Sequence, residues 1–217
     1  MVVYVGLSGT MLAGKGFIKD ILSANYKVFS FSLSDALRDE ADRQGIEKTR
    51  QNLTDLADGL RLKHGPGVLG ELAIKKIAGL GKEIGDYDLV IIDSIRNPWE
   101  VEALRQTFKR HFYLIFTDAP VETRYKRAMS RKREGEEFLT FEDFKKKDDE
   151  EFKGRADRQI EDKHSHHGQK LDYGVNLGAC LKKANAVVMN EGSKEEIEGK
   201  VLGLIRQRIE EVSKPVR

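Results

Sequence analysis

Four short runs of apolar and β-branched residues punctuate an otherwise polar chain: Val2–Leu7, Asp88–Asp93 (DLVIID), Phe112–Thr117 (FYLIFT) and Ala186–Met189. Runs of this length, bounded by polar residues, predict buried strands. Lys27–Phe31 (KVFSF) supplies a fifth. Between them the apolar positions recur at helical spacing, with clear start signals. Ser32-x-x-Asp35, Thr140-x-x-Asp143 and Ser193-x-x-Glu196 have capping-box form. Pro98 fits the first turn of a helix through Gln106, and Pro120 does the same after FYLIFT. Strands alternating with helices predict a parallel sheet covered on both faces. Two stretches break the alternation. Thr49 to Leu80 holds two successive helical patterns divided by His64-Gly-Pro-Gly67, and Arg131 to Asp172 is very polar, with an irregular segment at His164–Gly168. Both read as excursions from the sheet, so a single domain is expected over 1–217. The lysine- and glutamate-rich run Glu142–Lys153 reads as a solvated helix face.

Charge and cysteine usage narrow the classes. The 38 basic and 36 acidic residues leave a net charge of +2. That balance gives no electrostatic case for a duplex nucleic-acid binder, whereas a small anion needs only a local basic cluster. A single cysteine, Cys180, excludes an intrachain disulfide framework and a multi-cysteine metal site. It lies on an apolar helical pattern and reads as a small buried residue. No stretch of 18 apolar residues occurs and no signal segment precedes the first strand, so the expected location is cytoplasmic. His164, His166 and His167, with Asp162 close by, have ligand chemistry. Three histidines in a glycine-flanked polar loop with no cysteine near read first as exposed side chains.

The strongest chemical signal is Gly9-Thr10-Met11-Leu12-Ala13-Gly14-Lys15-Gly16. It matches GxxxxGK, follows an apolar strand and opens a helix (GFIKDILSA). Glycines at those positions let the backbone turn so that its N–H groups face a β-phosphate. The next helix presents its positive N-terminus to the same anion, and Lys15 reaches the β- and γ-phosphates. Phe17 closes the candidate loop. Gly16 stands where Ser or Thr usually holds Mg²⁺. A metal there would depend on the phosphates, water and a carboxylate.

That carboxylate is Asp93, at the carboxyl end of DLVIID, where parallel strands meet their ligands. It is assigned to Mg²⁺ through water. Arg96, three residues on, can grip an acceptor or the transferring phosphoryl group, or serve as a surface arginine at a helix start. Arg124, Arg127, Arg131 and Arg133 form the densest basic stretch, and the first three share a helix face. Arg127 and Arg131 are assigned to the triphosphate. Arg124 and Arg133 are left between that role and a solvated face paired with Glu122 and Glu134. Asp35 can orient an acceptor hydroxyl and Arg38 its phosphate, with Arg61 joining them. The alternative is a capping box beside exposed arginines.

With GTMLAGKG, the S-D-x-x-R of Ser34–Arg38, DLVIIDSIRN, the arginine row and the closing KKANAVVMNEGS in hand, the chain resembles the nucleoside/nucleotide monophosphate kinase group of P-loop proteins. Dephospho-CoA-kinase-like and deoxynucleotide-kinase-like members are nearest. Lys15-Gly16 is similar to the Gly-Lys-Gly of adenylate-kinase-like enzymes, although Phe17 replaces their threonine. The resemblance implies a three-layer P-loop sandwich with a five-stranded parallel sheet. It also implies an acceptor site over the second strand (about 34–80) and a small helical lid carrying the arginines (about 124–170). ATP and Mg²⁺ are the implied cofactors and small nucleotides the implied partners. Asn190 and Gly192 fall where such kinases contact the donor base. Tyr173–Ser193 also resembles the end of a P-loop module carried by some deaminases, but the zinc signature of a deaminase domain is absent. Two other readings stay open: a nucleotide-binding regulatory module without phosphoryl transfer, and a kinase acting on RNA or a nucleic-acid end.

Overall fold

The computed structural model describes residues 1–131, 140–154, 159–161 and 170–215. Its centre is a five-stranded sheet built from β1 (Val3–Gly9), β2 (Val28–Ser32), β3 (Leu89–Asp93), β4 (Phe112–Asp118) and β7 (Ala186–Met189), ordered β2-β3-β1-β4-β7. Every pairing in it is parallel. The nearly continuous apolar runs follow from burial on both faces. Along β3, Val90 and Ile92 face one core while Leu89 and Ile91 face the other. Along β4, Phe112, Leu114 and Phe116 enter the first core and Ile115 the second. The period of two thus divides each strand between two helical layers.

The first layer contains α2 (Leu33–Arg43), α3 (Arg50–His64), α4 (Val68–Gly79), α5 (Pro98–Phe108) and α8 (Leu177–Lys182). The second contains α1 (Lys15–Asn25) and α9 (Lys194–Ser213), joined through Ile18, Leu22, Val201 and Ile205. The start signals act as read at Ser32 and Ser193, which form complete capping boxes with Asp35 and Glu196. Thr140 caps α7 (Phe141–Lys153) by accepting from the Asp143 amide. A complete box that the sequence reading did not single out, Asn97 with Glu100, starts α5.

The helix after β4 is α6 (Val121–Arg131). The region expected as a small helical lid also holds a strand, β5 (Gln159–Glu161), paired antiparallel with β6 (Lys170–Asp172) at its far edge. Arg133 and the histidines 164, 166 and 167 lie outside the described residues. Although α7 is highly charged, Phe144 and Asp148 on it are buried. Only part of Glu142–Lys153 is therefore a solvated face.

Topology places the functional end of the molecule. Neighbouring strands β1 and β3 are followed by helices on opposite faces, α1 in the second layer and α5 in the first. A crevice opens between their carboxyl ends, as the doubly wound arrangement requires. Gly9–Gly16 and Asp93 both lie at that crevice. Ser32 pairs in register with Asp93, so the start of α2 borders it as well.

Candidate phosphate-binding site

The loop leaves β1 through Gly9 and enters α1 through Gly14, and both positions require glycine. A Cβ on Gly9 (φ 149°) would lie 2.1 Å from the Thr117 carbonyl oxygen, and one on Gly14 (φ 99°) 2.0 Å from Asn190 Nδ2. Leu12 (φ 61°) and Ser94 (φ 65°) both hold the left-handed conformation that L residues rarely adopt. Such strain is concentrated at sites where the surrounding structure must fix the backbone.

Three successive carbonyls of the loop are taken by side chains. Arg124 Nη1 donates to Met11 (3.3 Å), and Arg127 Nη1 donates to Leu12 (3.1 Å) and Ala13 (3.2 Å). Asn190 Nδ2 also donates to Ala13 (2.7 Å), while Arg127 Nη2 donates to the Asn190 carbonyl (3.3 Å). In a trans peptide the carbonyl of one residue opposes the N–H of the next. Holding Met11 and Ala13 from the α6 side therefore turns the Leu12 and Gly14 amides away from it. At the other end, Thr10 Oγ1 donates to Asp118 Oδ1 (2.5 Å) and the Thr10 amide to the Thr117 carbonyl (3.2 Å).

Lys15 folds back over the loop, donating to the Gly9 (3.0 Å) and Thr10 (3.3 Å) carbonyls. The side chain is half-buried by area, but its ammonium sits among protein atoms. That burial is the first cause of a pKa lowered to about 8; the Arg96 charge lowers it further, and Asp93 partly offsets both. Asp93 Oδ1 accepts from the Ser94 amide (2.5 Å). Lys15, Asp93 and Arg96 thus share one electrostatic neighbourhood.

The remaining assigned residues divide. Arg127, on α6, reaches the loop with its guanidinium directed at carbonyl oxygens. Arg131 ends α6 and is exposed. Arg124 is buried, donating to Ala119 (2.7 Å) and forming a two-point pair with Asp148. Asp35 and Arg38 are exposed and paired with each other (3.0 Å), and Asp35 also accepts the Ser32 amide. Arg61 does not join them: it is buried, held by Glu100 (2.8 Å) and Asp58 (3.4 Å). Glu100 in turn accepts the Arg96 (2.9 Å) and Asn97 (3.0 Å) amides, which ties α3 to the turn after Asp93. Gly16 is exposed, and a Cβ there would meet nothing within 4 Å. Phe17 packs toward the core between α1 and α9.

Asp118 and Asp148 were missed by the sequence reading. Asp118 carried the same signal as Asp93, an acid closing an apolar strand. Asp148 had none beyond its helical spacing from Phe144. Among the described residues, no cluster of three or more His, Cys, Asp or Glu is placed to hold a metal ion, and no helix is long and apolar enough to cross a membrane.

A family model described as an AAA domain matches residues 5–145. The chain is 37% identical over 185 residues to an Archaeoglobus fulgidus protein named UPF0200/UPF0201, covering 85% of this chain and 50% of that one. It is 26% identical over 202 residues to a UPF0200 protein of Pyrococcus horikoshii, covering 93% of each. The chain therefore spans half of the first relative and nearly all of the second. A crystal structure of a Thermus thermophilus protein superposes with a TM-score of 0.56 at 18% identity, covering 94% of this chain and 97% of that one. That likeness is one of fold.

Proposed function

The chain belongs to the AAA-domain family of P-loop proteins, and from that premise we propose that it is an ATP-dependent phosphotransferase acting in the cytoplasm. In this reading it moves a γ-phosphate to a small nucleotide-like acceptor, a (deoxy)nucleoside monophosphate or a dephospho-CoA-like molecule. The observation that carries the proposal is the state of Lys15: a desolvated cation, its pKa lowered, resting on two loop carbonyls with Arg96 adding positive potential. A charged group in that setting is stabilised by an incoming polyanion.

The residues fit a nucleotide with its metal. Gly9 to Gly16 form the cradle, with Lys15 its cation, and Phe17, its amide donating to the Gly14 carbonyl and its ring against the core, follows the cradle into α1. Asp93 is the carboxylate that would hold Mg²⁺ through water, since Gly16 offers no hydroxyl. When bound, the metal neutralises charge on the β- and γ-phosphates. Arg127 holds the cradle in shape, and Arg131, exposed at the end of α6, would approach the transferring group. Arg96, Asp35 and Arg38 border the crevice beside β3 and β2, where an acceptor phosphate would enter. Arg61 would serve the acceptor side through Glu100 and the Arg96 backbone. The segment 34–80 is then the acceptor side of one domain, and 124–170 its lid.

A second reading, a nucleotide-binding module without transfer, draws on Gly16 and Phe17, which remove the usual metal-binding hydroxyl. The distinguishing experiment is γ-phosphate transfer from labelled ATP to a panel of (deoxy)nucleoside monophosphates, dephospho-CoA and RNA ends. Transfer to one small acceptor class supports the kinase reading. Tight ATP binding with no labelled product from any acceptor favours the module.

A further inference from the structure

Helix α7 contributes nothing to the assigned cradle, yet it bears on it from behind. Its inward stripe is Phe144, Asp148, Glu151 and Phe152, spaced as one helix face. Phe144 is fully buried against Tyr125 of α6, with ring centroids 5.7 Å apart, and Phe141 meets the same tyrosine at 5.2 Å. At the other end, α7 packs so closely on α8 that a Cβ on Gly178 would lie 2.8 Å from the Phe152 carbonyl oxygen. Between these contacts sits Asp148, buried, with Oδ2 accepting from Arg124 Nη2 at 2.7 Å and Oδ1 from Nη1. Arg124 is held on every side: its Nε donates to Ala119, its face lies over Phe144, and its Nη1 also reaches the Met11 carbonyl. Glu151, one turn on from Asp148, raises the Lys15 pKa and so lies within its field.

We propose that Asp148 is a positioning residue of the nucleotide site: through Arg124 it fixes the Met11 carbonyl, and with it the aim of the next amide into the cradle. The inference rests on the reading of Gly9–Gly16 as a triphosphate cradle. A guanidinium that donates to both a carboxylate and a peptide carbonyl is oriented by the stronger, charge-assisted partner. Without that partner the buried guanidinium turns toward water or other acceptors, and the Met11 peptide loses its restraint. Arg127 and Asn190 still hold Leu12 and Ala13, so the loop loosens at one end and is not lost.

The test is binding of a fluorescent (methylanthraniloyl) ATP to the full chain, with hydrogen exchange of the 11–14 segment read in parallel. Asp148→Asn keeps the side-chain shape and removes the charge. It should weaken ATP binding about tenfold or more, the scale of a misplaced supporting contact, and speed exchange at 11–14. Asp148→Glu, which restores the charge, should recover most of the affinity. If Asp148→Asn does not fold, Arg124→Lys, which keeps a cation beside Asp148 but cannot bridge it to the Met11 carbonyl, is the readable variant and should weaken binding likewise, whereas parent-like binding by a folded Arg124→Lys overturns the proposal. Val201→Ala, a core truncation on α9, controls for lost stability and should bind as the parent does. If Asp148→Asn binds ATP like Val201→Ala, or Asp148→Glu recovers nothing, the pair is structural only and the proposal fails. A parent protein that binds no ATP would overturn the cradle reading itself, a separate result.

Discussion

Lys15 shows how one buried group ties stability to ligand chemistry. Its pKa falls from 10.5 to about 8 in the folded protein, chiefly through burial. As pH rises through 8 the folded protein releases this proton, while the unfolded chain keeps it until 10.5. Between those values the unfolded state binds more protons, so this residue's contribution to stability rises with pH across that window. A triphosphate works in the opposite direction, favouring the charged lysine. Nucleotide binding should therefore take up a proton above pH 8, and affinity should fall as pH climbs toward 10. Calorimetric titration with ATP at about pH 8.5, in two buffers of different ionisation enthalpy, measures that uptake. Equal apparent enthalpies would contradict the assignment. The Lys15 position was legible because loop, lysine and helix are contiguous. The contacts of Arg127 were not: periodicity places three arginines on one face of α6, but not which partner lies opposite. Its acceptors on the loop, the Leu12 and Ala13 carbonyls, are 115 and 114 positions away.

The strands were legible as elements because burial on both faces leaves a continuous apolar run. The observed β1, β2, β3 and β4 differ from the expected spans by one or two residues at their ends. The charged α7 was half legible: its cap and length follow from Thr140, but a buried aspartate between aromatics looks in sequence like one more solvated acid. The ribbon β5–β6 had no apolar alternation to announce it. The loop-to-helix junction offers a test at this scale. A Cβ on Gly16 has open space around it, and Gly16 is the second residue of α1. Gly16→Ser should therefore be tolerated and stabilise the helix by about 0.5 kcal/mol or less, the Gly–Ser difference in propensity. It also returns a hydroxyl to the position that usually meets the metal. ATP turnover at limiting Mg²⁺ should rise relative to the parent, while turnover at saturating Mg²⁺ stays close to it. A thermal melt and a Mg²⁺ titration read both effects, and an unchanged Mg²⁺ response would show that the metal lies elsewhere.

At the scale of the whole molecule, two helical layers clamp a parallel sheet, and the connections bring the Gly9–Gly16 loop, Asp93 and the start of α2 to one end. The strand count and parallel sense could be read from the alternation of patterns. The clasp on the loop could not, because it joins Ala13 to Asn190 across 177 positions and depends on β7 lying beside β4. Membership of the AAA-domain family and the fold likeness to the Thermus thermophilus protein agree with that architecture. We infer that this architecture presents a triphosphate to Lys15 for transfer. The most direct measurement is single-turnover release or transfer of the γ-phosphate from Mg²⁺-ATP, with the best acceptor of the panel, by the parent and by Lys15→Ala. The variant should stay folded, with a circular dichroism spectrum matching the parent's, and lose transfer by roughly a hundredfold or more, the scale of a removed transition-state charge donor. A folded Lys15→Ala protein that transfers phosphate within a few-fold of the parent would contradict the account.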